Sequence, residues 1–369
     1  MLELFPGSYR WSYNTHLAFA AGGQLGDLEL IMPVLTENVG NDEVWHDEWT
    51  RLAGIVEERA QNSQSDRSFS DTMFLACLYE IIGEHFVPPA DPRRMAAYDK
   101  VLEMFEAARQ KYPFPLDPVD ISFEGSVLPA YFQPAADVSA PRGTAIMICG
   151  LDTTKELWFL RARQAISDRG LNVLFVDTPG IGGALRKQEL YTRADYEKPV
   201  GAIIDYLETR AEVDPARIGI VGSSLGGYYV ARAAAEEPRL AATVAWGGIY
   251  DYHRVWLDRL ANKGTLAAPS FQIMFITGTD TIGDAVDCLK DFRIEPLGPR
   301  ITCPFLIMHG AEDRQVPLAD AEKMLAIIAS ADKELKIFDG RNGGSAHTQF
   351  NNHLPALHYA ADWLAEKLG

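Results

Sequence analysis

The chain has 369 residues, of which 47% are hydrophobic and 23% are charged, and its net charge at neutral pH is −17. This composition is typical of a folded globular protein, and the length predicts a large core with an accessory module. The acidic residues are spread along the chain and no basic cluster accompanies them, which argues against nucleic acids and anionic membranes as partners.

The first third of the chain predicts helices, because its apolar residues recur at spacings of three and four. The predicted helices cover residues 27–35, 43–61, 70–82 and 91–111. A proline-dense stretch over 112–118 follows and predicts a domain boundary. We therefore expect residues 1–115 to form a helical cap or lid domain, and residues 116–369 to form the core.

After this boundary, short apolar strands alternate with helices. The predicted strands cover 119–124, 127–133, 145–149, 173–177, 218–221, 243–246, 305–309 and 335–338. The main helices between and after them cover 156–168, 196–211, 225–236, 318–329 and 356–368. This alternation predicts the α/β class, with a mostly parallel eight-stranded sheet and helices on both of its faces.

Residues 251–299 interrupt the alternation and contain aromatic residues, acids and several glycines. An insertion at this place is expected to lie over the carboxyl ends of the strands and to form, with the N-terminal helices, a cap above the active site. Aromatic residues in these segments suit a flat substrate, although ordinary packing explains each of them equally well: Phe5, Tyr9, Trp11, Tyr13, Tyr250, Tyr252 and Trp256.

The most informative motif runs from Gly222 to Gly226, where a strand ends and an alanine-rich helix begins. It has the form G-x-S-x-G, the nucleophile elbow of α/β-hydrolases. Glycines at 222 and 226 avoid collisions in the tight turn, so that the Ser224 hydroxyl stands clear of the sheet. Ser224 is therefore the predicted nucleophile, whereas the side chain of the adjacent Ser223 is expected to point into the fold.

A serine nucleophile needs a base and an acid that orients it, and in this fold they follow in the order Ser, Asp or Glu, His. Asp313 lies just past a predicted strand, where the acid is expected, and Glu312 is its nearest alternative. His347 stands in a loop that follows two glycines before the last helix, and it is the predicted base. The other histidines of this region are alternatives or structural residues: His309, His353 and His358.

The transition state of such a reaction needs two oxyanion donors. The amide of Leu225, at a helix N-terminus, is the first, and the amide of Leu151 in the loop after the third strand is the second. Asp152 is the alternative to Leu151, although its side chain equally suits a helix cap. Asp152 and Lys155 in this loop are also candidates for substrate contact.

No cofactor is expected from this sequence. The glycine-rich turn at 177–183 lacks the Lys-Ser or Lys-Thr of a phosphate loop. The four cysteines have no C-x-x-C spacing, which argues against a cysteine metal site and favours a reduced, cytoplasmic setting. The start has no basic segment followed by an apolar stretch, so neither a signal peptide nor a membrane span is expected.

These motifs resemble one branch of the α/β-hydrolases, the dihydroxypseudooxynicotine hydrolases of bacterial nicotine breakdown, and more loosely the fungal yellowish-green hydrolases that shorten polyketides. The resemblance rests on four stretches besides the elbow, at 150–156, 195–198, 237–242 and 246–248, and covers about 110–369 well. The N-terminal segment resembles that of these hydrolases in being helical and in its length, but not in its sequence motifs. The resemblance implies hydrolysis of a C–C bond in a 1,3-dicarbonyl or polyketide-like compound, and a homodimer.

The resemblance also implies an acidic residue from the cap region after the sixth strand, for which Asp251 and Asp258 are candidates, with Trp256 as a possible substrate contact. Two other functions remain open at this point. An ester, lactone or thioester hydrolase, or an acyl transferase, would use the same acyl-enzyme. A non-catalytic binding protein on this scaffold would be expected to lack a member of the triad, and none is missing here.

Overall fold

The computed structural model of the chain describes residues 1–137, 139–151, 153–262 and 267–369. These residues form two compact units. The first consists of Met1–Pro115 together with the described part of Gly264–Gln272. The second consists of the described parts of Leu116–Lys263 and Ile273–Gly369.

The first unit is helical. Its helices are α1 (Tyr9–Ala20), α2 (Leu25–Leu28), α3 (Met32–Glu37), α4 (Asp42–Gln61), α5 (Asp66–Glu84) and α6 (Pro92–Gln110). The three long ones begin at side chains that accept backbone N–H groups of the first turn, as helix N-caps do: Asn41, Ser65 and Asp91. Trp11, Trp45 and Trp49 are almost completely buried in this unit.

The segment 267–272 belongs to the first unit although it lies far along the chain. The Asn14 side chain donates a hydrogen bond to the Ala267 carbonyl at 3.0 Å. The guanidinium of Arg94, which is fully buried, donates to Oε1 of Gln272 at 3.0 Å. These are long-range polar contacts inside the unit, and they tie the returning segment to α1 and α6.

Two of the predicted helices differ from the structure. The single helix expected over 27–35 is two short helices, since Pro33 lies in the first turn of α3 and has no N–H with which to continue a helix from α2. The helix expected over 156–168 ends at Ala162, because Arg163 has a φ of +38°. Helix α1, in contrast, was not predicted.

The eight predicted strands are all present and form one sheet. They are β1 (Asp117–Phe123), β2 (Ser126–Gln133), β3 (Arg142–Ile148), β4 (Asn172–Val176), β5 (Val213–Ser223), β6 (Leu240–Trp246), β7 (Phe305–Gly310) and β8 (Lys333–Phe338). Their order is β1-β2-β4-β3-β5-β6-β7-β8, with antiparallel pairing for β1-β2 and β2-β4 and parallel pairing elsewhere. The predicted α/β class and mostly parallel sheet are confirmed.

Helices follow most of these strands. They are α7 (Lys155–Ala162), α8 (Gly182–Arg186), α9 (Glu197–Leu207), α10 (Leu225–Glu236), α11 (Tyr252–Ala261), α12 (Phe271–Thr277), α13 (Ile282–Cys288), α14 (Leu318–Ile327) and α15 (Leu354–Leu368). Three of them, α11 to α13, follow one another between β6 and β7. All residues of β4 and β7 are buried, as expected of strands covered on both faces. Of the helices described, none is long and apolar enough to cross a membrane.

The parallel strands place their carboxyl ends at one edge of the sheet. Ser223 at the end of β5 is in register with Trp246 of β6, which is in register with Met308 of β7. The loops that follow these three strands therefore start beside one another. In a sheet of this kind, ligands bind at this edge.

Candidate functional site

Ser224 occupies a strained turn between β5 and α10. Its φ and ψ are +58° and −118°, a backbone conformation that residues with a side chain rarely adopt. The Ser224 amide donates to the Trp246 carbonyl at 2.8 Å, which fixes the turn to the end of β6. The side chain of the preceding Ser223 is buried, as predicted.

The turn leaves no room for side chains at its two glycines. A Cβ atom on Gly222 would lie 2.0 Å from the Gly226 carbonyl oxygen. A Cβ atom on Gly226 would lie 2.4 Å from the Cys149 carbonyl oxygen, in the chain that leaves β3. Helix α10 can approach the sheet this closely only because both positions are glycine.

Three side chains from three loops form one hydrogen-bonded chain. Nε2 of His347 lies 2.8 Å from Oγ of Ser224, and Nδ1 of the same imidazole lies 2.6 Å from Oδ2 of Asp313. The structure thus brings together the three residues predicted from the order of the motifs. In this arrangement the imidazole can accept the hydroxyl proton at one nitrogen while the carboxylate orients the ring through the other.

Asp313 is held as an ionised carboxylate. Its side chain is fully buried, and Oδ1 accepts the backbone N–H groups of Gln315 and Val316 at 2.7 and 2.9 Å. Burial raises the pKa of this carboxyl, but its interactions with His347 and His309 and the hydrogen bond from the Val316 amide together outweigh burial and hold the pKa below its ordinary value. The alternative acid, Glu312, is exposed and accepts the Ser345 hydroxyl at 2.7 Å.

The other histidines of the region have different surroundings. His309 is buried, as expected, with Nε2 3.0 Å from the Val316 carbonyl, and burial lowers the pKa of this histidine. His353 is buried and stacks on Trp246 with 5.1 Å between ring centroids. His358 is exposed on α15.

The amide of Leu225 and the start of the loop that contains Leu151 lie beside the serine. Leu225 is the first residue of α10, so its amide has no partner within the helix. An added Cβ on Gly150 would lie 3.0 Å from Cβ of Ser224 and 3.6 Å from the Leu225 nitrogen, which places the start of the loop with Leu151 next to the nucleophile. Asp152 lies outside the described residues.

The chain matches the profile of a known protein family. A profile of the prolyl oligopeptidase family matches residues 158–369, which is more than half of the chain and contains Ser224, Asp313 and His347. The chain belongs to the prolyl oligopeptidase family. Together with the structural comparison below, this match confirms the α/β-hydrolase fold and makes the protein a hydrolase of that type.

Other comparisons extend this similarity beyond the family profile. The 2,6-dihydropseudooxynicotine hydrolase of Paenarthrobacter nicotinovorans is 27% identical over 328 residues, which cover 88% of this chain and 84% of the relative. The 20-hydroxy-prefusarin hydrolase of Gibberella moniliformis is 26% identical, with 88% of each chain covered. The crystal structure of the 2,6-dihydroxy-pseudo-oxynicotine hydrolase superposes with a TM-score of 0.81 and 26% identity, and it covers 96% of this chain and 95% of its own. The resemblance predicted from the motifs is confirmed.

In this member of the prolyl oligopeptidase family, Lys155 lies in a buried charge cluster instead of being free for substrate. Its ammonium lies 2.5 Å from Oε1 of Glu156 and 3.1 Å from Oδ2 of Asp177, and all three side chains are at most 5% exposed. Oδ1 of Asp177 also accepts the Lys155 amide at 2.7 Å, and Oδ2 accepts the Gly183 amide at 2.8 Å. The cluster thus joins the loop after β3 to the loop after β4.

The three residues proposed from the region after the sixth strand have different surroundings. Asp251 caps α11 by accepting the Arg254 amide at 2.9 Å. Asp258 is exposed on the same helix. Trp256 is fully buried and packs edge-on against Tyr252, with 6.3 Å between ring centroids. Helix capping and core packing therefore account for Asp251 and Trp256, and the structure gives Asp258 no contact that marks a site.

Asp152, the residue predicted to suit a helix cap, lies outside the described residues. In the structure Thr154 caps α7, and its hydroxyl accepts the Leu157 amide at 3.3 Å. Among the residues that the structure describes, no group of three or more His, Cys, Asp or Glu side chains could hold a metal ion. None of the four cysteines, all of which lie in the described part of the chain, forms a disulfide bond.

Replacing Gly226 by alanine is expected to lower the free energy of unfolding by at least about 1–3 kcal/mol, because the new methyl group would overlap the Cys149 carbonyl. Chemical denaturation followed by circular dichroism measures the change. Gly54→Ala is the matched control, since an added Cβ in this exposed position of α4 meets nothing within 4 Å. That control should raise stability by about 0.5–1 kcal/mol, and equal effects of the two substitutions would contradict the close-approach argument.

Proposed function

We propose that this protein is a serine hydrolase in which Ser224 is the nucleophile, His347 the general base and Asp313 the residue that orients it. One observation carries the proposal: the unbroken chain of hydrogen bonds from the Ser224 hydroxyl through His347 to Asp313, with distances of 2.8 and 2.6 Å. A serine hydroxyl is a weak nucleophile on its own, and a base within hydrogen-bonding distance is what activates it.

The reaction would proceed through an acyl-enzyme. As Oγ of Ser224 adds to a substrate carbonyl carbon, His347 takes the hydroxyl proton, and Asp313 stabilises the imidazolium that results. The amides of Leu225 and Leu151 would donate to the alkoxide oxygen of the tetrahedral intermediate. Water activated by the same imidazole would then hydrolyse the ester on Ser224 and release a carboxylic acid.

We further propose that the bond cleaved is a C–C bond in a 1,3-dicarbonyl or polyketide-like compound. When the tetrahedral intermediate collapses, the bond between the attacked carbon and its α-carbon breaks, and its electron pair passes to the second carbonyl as an enolate. The imidazolium returns its proton to that enolate, so the products are one ketone and, after hydrolysis, one acid. Similarity to the hydrolases of 2,6-dihydropseudooxynicotine and of 20-hydroxy-prefusarin, over most of each chain, supports this substrate class.

Product analysis with three substrates tests the proposal. The purified protein is incubated with an aryl 1,3-diketone, with an aryl ester of the same acyl group and with a proline-containing peptide, and products are quantified by mass spectrometry. We expect one ketone and one acid per diketone consumed, and no cleavage of the peptide. A parallel incubation with a fluorophosphonate, which labels activated serines, is expected to modify Ser224.

Each contrary outcome contradicts a different part of the proposal. Cleavage of the ester with an intact diketone would exclude the C–C bond specificity while leaving the serine mechanism in place. Cleavage of the peptide would indicate an activity like the one after which the family is named. Absence of labelling, at a concentration that labels a known serine hydrolase, would exclude the nucleophile and favour a non-catalytic ligand-binding protein.

A further inference from the structure

The turn that carries His347 has an unfavourable backbone. Thr348 and Gln349 follow the histidine directly, and their φ angles are +50° and +57°. Two consecutive residues with side chains in the left-handed region cost roughly 1–2 kcal/mol each, so the surrounding structure must hold the turn in place.

The side chain of Gln349 holds this turn at two points. Its Oε1 accepts the indole N–H of Trp246, and its Nε2 donates to the Ala346 carbonyl at 3.2 Å. The backbone amide of Gln349 donates to the same carbonyl at 3.0 Å. Gln349 is fully buried, so water cannot replace these bonds if they are lost.

Trp246 connects the base to the nucleophile. Its indole N–H reaches the turn after His347, while its carbonyl accepts the Ser224 amide at 2.8 Å. The indole is itself fixed, since it is fully buried and stacks on His353 with an angle of 8° between the ring planes. Trp246 is therefore hydrogen-bonded both to the turn that follows His347 and to the turn that carries Ser224.

We infer that Trp246 and Gln349 are positioning residues for His347: the hydrogen bond between their side chains fixes the strained turn so that Nε2 stays in line with the Ser224 hydroxyl. This inference rests on the proposed function, in which His347 is the base. Neither residue contacts the reacting atoms. Their contribution is to activation of the serine rather than to substrate binding, and it should show in kcat and in the rate of acylation.

The test measures the second-order rate constant of inactivation by a small fluorophosphonate, a reaction in which Ser224 displaces fluoride from phosphorus and His347 takes the proton. Trp246→Phe removes the donor and keeps an aromatic ring. Gln349→Met removes the acceptor together with the Nε2 bond to the Ala346 carbonyl, and it keeps the length of the side chain. Each variant is expected to react about 10- to 100-fold more slowly than wild type, because a misplacement of about 1 Å has an effect of this size. With substrate, kcat should fall and KM should change little.

The double variant Trp246→Phe/Gln349→Met shows whether the two single substitutions act through the same hydrogen bond or disturb the site independently. If one hydrogen bond does the positioning, the double variant should react about as slowly as the slower single variant, because the bond is already lost in each. Trp45→Phe is the matched control, since it removes a buried indole hydrogen bond of 2.8 Å to the Ile82 carbonyl in the first unit. It should lower stability without changing the inactivation rate.

The outcomes distinguish this inference from the proposed function. If wild type does not react at Ser224, the proposed function fails and the positioning role fails with it. If wild type reacts while both single variants, folded by circular dichroism, react at the wild-type rate, the positioning role alone is excluded. Multiplying effects in the double variant would also exclude it. Should Trp246→Phe fail to fold, the rate of Gln349→Met decides.

Discussion

Replacing Ser224 by alanine is expected to reduce turnover by a factor of about 10³ or more while the fold stays intact. The substitution removes the oxygen that would attack the substrate but keeps the oxyanion amides and any substrate contacts, so KM should change much less than kcat. Steady-state kinetics with the substrate identified by product analysis, together with far-UV circular dichroism, measure both expectations.

Ser223→Ala is the matched control for this prediction. Ser223 is the neighbouring residue of the same type, and its side chain is only 5% exposed, at the end of β5. Activity close to wild type is expected, because its hydroxyl has no part in the hydrogen-bonded chain to His347. Near-wild-type turnover in Ser224→Ala, or an equal loss in both variants, would contradict the assignment of the nucleophile.

Replacing Lys155 by methionine is expected to lower the free energy of unfolding by about 3–5 kcal/mol, because the change removes the cation that lies between two buried carboxylates. Glu156 and Asp177 would remain with no compensating charge from Lys155. Lys198→Met is the control, since that lysine is 56% exposed and its 2.8 Å ion pair with Asp195 should contribute at most about 1 kcal/mol.

The loss in free energy of unfolding caused by Lys155→Met should grow as pH rises. Burial raises the pKa of Asp177, the Lys155 ammonium opposes that rise, and the rise should become larger without the ammonium. A carboxyl whose folded pKa exceeds its unfolded value of about 4 takes up a proton on folding. The contribution of Asp177 to the stability of the variant is therefore highest below pH 4 and falls as pH rises through its folded pKa. Urea titrations of wild type and variant at pH 5 and 8 measure the difference in their free energies of unfolding. If this difference does not grow with pH, the two carboxylates are excluded as its cause.

Much of the fold could be predicted because local sequence patterns and the final structure agree. Strands β4 and β7 are short runs dominated by apolar residues, and their full burial explains why each appears in the sequence as a nearly continuous apolar segment. The elbow could be predicted because close packing restricts Gly222 and Gly226 to one residue type. The order of motifs then indicated Asp313 and His347 without any knowledge of distances.

The remaining features depend on contacts between distant residues. Lys155 is the first residue of α7, directly after the loop at the carboxyl edge of the sheet, where a substrate contact is a reasonable expectation. Its partner Asp177 follows 22 positions later in the sequence. The turn after His347 gives no signal either, because neither Thr348 nor Gln349 is a residue type that favours a positive φ. Its stability comes from Trp246, 103 positions away in the sequence.

The return of residues 267–272 to the helical unit has a consequence for protein engineering. The backbone passes between the two units three times, at about 115, 264 and 272, so they are not consecutive modules that one cut could separate. A shortened polypeptide that starts at Leu116 would lack Arg94 and His85, the hydrogen-bond partners of the Gln272 side chain. Gln272 is fully buried in the intact protein. Attempts to express the sheet-containing unit by itself should therefore remove this stretch as well.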